Sequence, residues 1–177
     1  TILLANNGVL PLAVGSKISV FGVSSAFWMT GEKVDGVANA AFTKALEEQG
    51  YEINKDLRSF YKSNKHKKYG TGSAMGNGSS FSNWAVDEVP WSEYKDKVLA
   101  SFADFNDAAF VVLSRGGSEG SDLPMWMDAQ GGAYEQSYMS LSQEETDLLA
   151  NVTAQFDKVI VVLHSANAMD MDFLKTY

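Results

Sequence analysis

The chain has 177 residues, of which 45% are apolar and 20% charged, enough apolar side chain to fold one domain. Its formal charge of −8 disfavours nucleic acid as a partner, because an acidic surface repels a phosphate backbone. There is no cysteine, which excludes disulfides, thiolate metal sites and cysteine nucleophiles. Apolar runs such as Val159–Leu163 are far shorter than the roughly 20 residues that span a bilayer, so no membrane insertion is predicted.

The first third of the chain alternates short strands with helices. The β-branched run KISVFG predicts a buried strand at Lys17–Gly22, followed by a loop over Val23–Gly36. Apolar residues at helical spacing predict a helix over Val37–Gln49, and a second strand is predicted at Tyr51–Asn54. A short helix over Asp56–His66, with its first residue as the cap, completes this part.

The middle of the chain holds the strongest strand pattern and the two clearest loops. Glycine and serine dominate Gly70–Ser82, which is therefore predicted to be a loop. A helix is predicted over Pro90–Phe105, opened by its proline. The run AAFVVLS at Ala108–Ser114 is apolar on both faces, which is typical of a central strand in a parallel sheet. A long glycine-rich loop is predicted to follow at Arg115–Ala133.

The last third contains one predicted helix and one predicted strand. Ser142 and Glu145 have the spacing of a capping box, so they predict the start of a helix that ends near Phe156. The doubly apolar run at Lys158–Leu163 predicts another interior strand, and the polar segment His164–Asp170 predicts a loop after it.

This alternation of strands and helices is typical of parallel βαβ units with right-handed crossovers. The sequence has no internal repeat and no linker, so residues 1–177 are predicted to form a single α/β domain. The predicted architecture is a three-layer α/β/α sandwich around a mostly parallel sheet. Only a short tail follows the last predicted strand, which favours a domain truncated at its C-terminal end.

Ligands of open parallel sheets bind beyond the carboxyl ends of the strands, where the predicted loops carry polar side chains. In the loop after Ala108–Ser114, residues Gly116–Gly120 match the G-x-S-x-G elbow of serine hydrolases, with Ser118 as the nucleophile. His164 would be the base in this interpretation. The carboxylate that orients it would be one of Asp128, Asp147 and Asp170. Pro124 opposes this interpretation, because the elbow serine must be followed at once by a helix.

A second interpretation takes Glu119 as the working carboxylate of the same loop. Glycines on both sides would let its backbone turn and approach a substrate closely. Composition alone fits equally well a solvated loop that carries two acids, Glu119 and Asp122. The residues themselves leave these alternatives open.

Five segments, in order along the chain, resemble glycoside hydrolase family 3. They are ILLANNGVLPL at Ile2–Leu12, KISVFG at Lys17–Gly22, VVLSRGGSEGSDLP at Val111–Pro124, YMSLSQEETDLL at Tyr138–Leu149 and VIVVLHSANAMDM at Val159–Met171. They are similar to the α/β sandwich domain that accompanies the catalytic barrel in β-glucosidases and related enzymes. The resemblance covers nearly the whole chain.

The resemblance implies a retaining glycoside hydrolase whose two carboxyl groups are divided between domains. The nucleophile would be an aspartate of the barrel, outside this chain, so the isolated chain is expected to be inactive. Glu119 occupies the acid/base position of the family, with Ser118 where relatives often have glycine. Trp28 and Asp122 are the expected substrate contacts. Trp28 lies in a segment where relatives often have glycines, and packing against another domain or loop is an equal alternative for it.

The implied substrate is a β-glucoside or a short oligosaccharide, and the implied partner is the catalytic barrel of the same parent chain. An exposed apolar face is expected where that barrel docks. No cofactor is implied, and the D-x-D sequence at Asp170–Asp172 is a weak metal motif. The alternative function is a non-catalytic carbohydrate-binding or scaffold module, which would have no reason to keep Glu119. The sequence leaves a cytoplasmic and a secreted bacterial location open.

Overall fold

The structure, a computed structural model, describes residues 2–26, 42–66, 69, 86, 88–116, 123–127, 136–165 and 167–177. Strands in this part of the chain are β1 (Lys17–Phe21), β2 (Glu52–Ile53), β3 (Ala108–Arg115) and β4 (Val159–Ser165). Helices are α1 (Val23–Ala26), α2 (Phe42–Glu48), α3 (Lys55–Lys62), α4 (Asp96–Ser101) and α5 (Gln143–Thr153). Short 3₁₀ helices occur at Trp91–Glu93, Phe102–Asp104 and Asp172–Lys175. All the strands predicted from the sequence are confirmed.

The strands form a parallel sheet in the order β2-β1-β3-β4. All residues of β3 are buried inside this sheet, which explains why both of its faces are apolar. From β1 the chain goes first to β2 on one side and later to β3 on the other, so the strand order reverses between β1 and β3. Such a reversal opens a crevice at the carboxyl ends of the strands, where doubly wound folds bind their ligands.

Helices cover both faces of the sheet, which confirms the predicted three-layer α/β/α sandwich. On one face, Phe42 and Leu46 of α2 pack against Ile18, Val20 and Phe110. On the other face, apolar side chains of α3 and α5 pack against strand residues such as Phe21, Val111 and Leu113. The helix side chains are Leu57, Tyr61, Leu148, Leu149 and Val152. Each fully buried aliphatic side chain of this kind contributes about 1.5–3 kcal/mol to folding.

Local side-chain bonds define the starts of α3 and α5. The capping box predicted for α5 is confirmed, since Glu145 N–H donates to Ser142 Oγ and Ser142 N–H donates to the Glu145 carboxylate. The predicted cap of α3 is wrong, because Asn54, not Asp56, accepts the N–H of Leu57 at 3.0 Å. The chain enters α3 directly from β2, so Asn54 has the extended backbone of a cap and Asp56 lies in the first turn.

The continuous helix predicted over Pro90–Phe105 is wrong. Two residues with extended backbone separate the 3₁₀ helix at Trp91–Glu93 from α4. The position of Tyr94 accounts for the break. Its ring stacks on Trp91 with 4.5 Å between centroids, and its hydroxyl bonds to the Tyr61 hydroxyl in the core. Packing of one aromatic side chain therefore overrides the helical pattern of the sequence.

Three predicted loops begin inside regular structure. Helix α1 occupies the first residues of the predicted loop Val23–Gly36, and Arg115 and His164 belong to β3 and β4 respectively. The predicted loop Gly70–Ser82 and residues 37–41 of a predicted helix lie outside the described residues. Within the described part of the chain, every helix lacks the length and apolar character that a membrane crossing requires.

Candidate active site

The carboxyl ends of β1, β3 and β4 lie side by side at one edge of the sheet. We call the residues that directly follow a strand its exit. The reversal of strand order puts the exits of β1 and β3 next to each other, so this edge is the candidate site. Arg115 and Gly116 are the last described residues before residues 117–122, which contain the candidate carboxylate Glu119. Outside the described residues lie Trp28, Ser118, Glu119 and Asp122. The described geometry of the site is therefore that of the strand ends from which these residues follow.

The exit of β1 is pressed against β3 at Gly22. This glycine has a φ of +93°, and a Cβ at this position would lie 2.2 Å from the carbonyl oxygen of Val112. Only a residue without a side chain fits such a close approach. The Gly22 N–H donates to the Tyr61 hydroxyl with an N···O distance of 2.8 Å, and that hydroxyl bonds in turn to the Tyr94 hydroxyl.

The buried carboxyl group of Glu88 accepts a hydrogen bond from Val23, the residue after Gly22. Its two oxygens accept the N–H groups of Val23 and Val89, each at 2.8 Å, and the residue is 4% exposed. Burial raises the pKa of Glu88 from 4.5 to about 8; the two N–H bonds oppose this rise and the charges of Glu145 and Glu144 add to it. The neutral acid therefore predominates at pH 7.

Side-chain hydrogen bonds connect the exits of the three strands. The buried hydroxyls of Ser24, in α1, and Ser114, in β3, lie 2.6 Å apart and join the exit of β1 to the end of β3. The Asn167 amide donates to the carbonyl oxygen of Gly116, which joins the exit of β4 to the start of the next loop. Each of these strand ends is therefore joined to its neighbour by a side-chain hydrogen bond.

Arg115, the last residue of β3, is surrounded by hydrogen-bond acceptors. Its guanidinium makes two parallel bonds to the Glu145 carboxylate, with N···O distances of 2.8 and 2.7 Å. It also donates to the carbonyl oxygens of Ser114 (2.8 Å), Tyr138 (3.1 Å) and Ser140 (2.6 Å). Arg115 is 1% exposed and Glu145 3% exposed, so the pair lies in the core. A bidentate pair fixes the relative orientation of its two side chains in addition to the attraction of their charges. This pair connects the end of β3 to the start of α5.

His164 lies in β4 and pairs with Ser114 in the parallel register, which puts it at the same end of the sheet. Burial lowers the pKa of His164, so the neutral imidazole is favoured at pH 7. Asp147 and Asp170 are both exposed and accept hydrogen bonds within their own segments. Neither has the burial of the carboxylate in a serine-hydrolase triad. Asp128 lies outside the described residues.

The D-x-D sequence near the end of the chain forms local bonds. Asp170 accepts the N–H of Asp172 at 3.0 Å, and the Asp172 carboxylate pairs with Lys175. No three histidine or acidic side chains are grouped for a metal ion in the described ranges.

Large apolar side chains are exposed on two paired segments beside the end of β3. Met125 and Trp126 lie on one segment and Met139 on the other. The Tyr138 N–H donates to the Met125 carbonyl oxygen at 3.1 Å, and Trp126 forms a β-bridge with Ser137. Because Arg115 bonds to the same Tyr138 backbone, this apolar patch adjoins the candidate site.

Comparison with known proteins shows the family of this domain. The chain matches the glycosyl hydrolase family 3 C-terminal domain over residues 1–176. It belongs to this family. A β-glucosidase of Ruminococcus albus is 28% identical over 182 residues, a match that covers 99% of this chain and 18% of that protein.

Two solved structures resemble this family 3 domain. A β-glucosidase from Paenibacillus barengoltzii is 24% identical with a TM-score of 0.66, over 96% of this chain and 17% of the other. β-Glucosidase 3B from Thermotoga neapolitana, solved in complex with α-D-glucose, is 25% identical with a TM-score of 0.60, over 92% of this chain and 22% of the other. The chain thus spans 17–22% of the length of these relatives.

Several buried polar residues of this family 3 domain are not predicted from its sequence. Glu88 and Tyr61 have no predicted role, and Arg115 is assigned to the start of a loop. Weak signals exist for two of them. Glu88 stands between Val86 and Val89, and Arg115 directly continues the apolar run of β3. A charge inside an apolar run predicts a buried partner, although the run does not identify which residue that partner is.

Proposed function

We propose that this domain belongs to a retaining glycoside hydrolase that cleaves terminal β-linked glucosides, and that it supplies Glu119 as the general acid/base. Membership of family 3 carries this proposal. The position of the segment R-G-G-S-E-G-S-D supports it, because this segment leaves the central strand β3 at the reversal of strand order. Ligands of doubly wound sheets bind at that place.

The proposed reaction needs two carboxyl groups about 5–5.5 Å apart. Glu119 donates a proton to the leaving glycosidic oxygen while a nucleophilic aspartate of a barrel domain attacks the anomeric carbon. Glu119 then takes a proton from the water that hydrolyses the covalent intermediate, so configuration is retained. Trp28 and Asp122 are the proposed sugar contacts of this domain, the first by stacking and the second by hydrogen bonds to hydroxyl groups.

An acid/base of this kind needs a pKa near the working pH. Burial at this edge of the sheet raises the pKa of Glu88 to about 8, which illustrates how strongly desolvation acts on a carboxyl group there. Closure of a barrel domain over the site would desolvate Glu119 in the same way. The nearby negative charge of the nucleophile would raise its pKa further.

Replacement of Glu119 by Gln in the full-length enzyme tests the proposal. We expect kcat/KM for alkyl glucosides and disaccharides to fall by about 10²–10⁴-fold, because their leaving oxygen needs a proton. Aryl glucosides with acidic leaving groups should lose much less. Their covalent intermediate should accumulate, and added azide should release it as the β-glycosyl azide, since azide needs no base.

Ser118→Ala is the matched control, because it changes the neighbouring side chain and removes only a hydroxyl. It should leave the dependence on the leaving group unchanged. A Glu119→Gln enzyme with nearly full activity on every glucoside would contradict the proposal and favour a non-catalytic module. Loss of all activity in Ser118→Ala, with Glu119→Gln still active, would favour the serine-hydrolase interpretation instead.

A further inference from the structure

Arg115 uses its full hydrogen-bonding capacity at the end of β3. Its five N–H groups meet the two oxygens of Glu145 and the carbonyl oxygens of Ser114, Tyr138 and Ser140. The residue therefore joins β3 to α5 and to the segment before α5 at the same time. Glu145 is itself fixed, because its carboxylate also accepts the Ser142 N–H at 2.9 Å.

Such a pair is a costly way to fill a core position. Two charges must leave water, and apolar side chains of similar volume often give equal or greater stability in the same place. The advantage of the pair is that it fixes the relative orientation of the two side chains and of the elements that carry them. The guanidinium is planar and rigid, and all of its bonds in this site have fixed directions.

The position of this rigid junction in the sequence is informative. The residues after Arg115 are Gly116, Gly117, Ser118 and Glu119. Glycines have no side chain with which to pack, so the start of this segment can be anchored only by its backbone and by the residue before it. Gly116 is held by the Asn167 amide, and Arg115 is held on every side.

We infer that Arg115 is a positioning residue for catalysis, and that its bonds to Glu145 and to the Tyr138–Ser140 backbone orient the loop that presents the Glu119 carboxyl group. This inference rests on the proposed acid/base role of Glu119. A misplacement of about 1 Å at a reacting group can reduce the rate of reaction about 10²-fold. Proton donation is the step that suffers when only the acid is displaced.

The experiment compares two substrates in the full-length enzyme. For each variant, kcat/KM is measured for a dinitrophenyl β-glucoside, which needs little protonation, and for an alkyl β-glucoside, which needs much. The ratio of the dinitrophenyl value to the alkyl value is independent of the fraction of enzyme that folds. Arg115→Lys keeps the charge but loses the planar fork, and we expect it to raise the ratio about tenfold. Azide should stimulate its turnover of the aryl substrate.

Two further variants separate positioning from folding. Glu145→Gln keeps the capping box and removes one charge of the pair, so it should raise the ratio in the same direction even if Arg115→Lys folds poorly. Asn54→Ala is the control, because it also removes buried hydrogen bonds, to Ser19, Ser101 and Leu57, and lies beside the start of β1. It should lower stability and leave the ratio unchanged.

Glu119→Gln is measured beside these variants, so that the two proposals can fail separately. An unchanged ratio in Arg115→Lys and Glu145→Gln, with a raised ratio in Glu119→Gln, would overturn the inference and leave the proposed function standing. An unchanged ratio in Glu119→Gln would overturn both. An equal rise in the ratio for Asn54→Ala would also overturn the inference, since any loss of stability would then produce it.

Discussion

Glu88 carries a buried carboxyl group whose ionisation affects the stability of the fold. Its pKa in the folded chain, about 8, lies above the ordinary value of 4.5. The unfolded chain therefore releases this proton first as the pH rises, and the folded state loses stability between about pH 4.5 and pH 8. The loss should amount to a few kcal/mol, since each pKa unit corresponds to about 1.4 kcal/mol.

Glu88→Gln should remove most of this decline. Urea unfolding of the domain at pH 5 and pH 8 measures the free energy of unfolding for the wild type and the variant. Gln has one acceptor oxygen instead of two, so the variant should be less stable than the wild type at pH 5. Because Gln cannot ionise, this difference in the free energy of unfolding should disappear or change sign at pH 8. Glu48→Gln, on the exposed surface of α2, is the control and should keep the wild-type slope. Parallel slopes in wild type and Glu88→Gln would contradict the assignment.

At the scale of elements, the junction of β1 and β3 depends on one glycine. Gly22 and Gly15 both have a positive φ, +93° and +86°, but only the first would place a Cβ against another strand. Gly15→Ala should cost about 1–2 kcal/mol from the backbone alone. Gly22→Ala should cost several kcal/mol more, because the exit of β1 must move away from Val112 and strain the Ser24–Ser114 bond. Urea unfolding of the two variants, compared at one pH, gives the difference. Equal losses would show that the clash is relieved without moving the strand.

Several elements whose sequence pattern lies within one short segment are predicted correctly. The doubly apolar runs became β3 and β4, and Ser142 with Glu145 became the capping box of α5. The break in the helix predicted over Pro90–Phe105 results from contacts between distant segments, whereas the wrong cap of α3 is a local error, because Asn54 is predicted to be a strand residue. Tyr94 broke a predicted helix because its ring packs on Phe60 and its hydroxyl bonds to Tyr61, both more than 30 residues earlier in the chain. A pattern read along one segment contains no information on such partners.

At the scale of the whole molecule, the sequence predicts that the strand ends share one edge, but it does not predict which side chains join them there. Loops after parallel strands leave from one edge of the sheet, so the ends of β1, β3 and β4 are expected together from the strand pattern alone. The hydrogen bonds between these strand ends are not predicted. Arg115 and Glu145 are 30 positions apart, and Glu88 holds a backbone group 65 positions away. Only the packing of α5 and the exit of β1 against β3 brings these residues together.

The proposed division of the site between two domains leads to a prediction for the chain by itself. Double displacement needs a nucleophile and an acid/base, and only Glu119 is assigned to these residues. A polypeptide of residues 1–177, shown to be folded by near-ultraviolet circular dichroism, should release no phenol from an aryl β-glucoside above the buffer rate. The full-length enzyme is the positive control in the same assay. Robust turnover by residues 1–177 would contradict the divided site, because one carboxyl group cannot perform both steps. Ser118→Ala in that polypeptide would then decide whether a serine nucleophile is responsible.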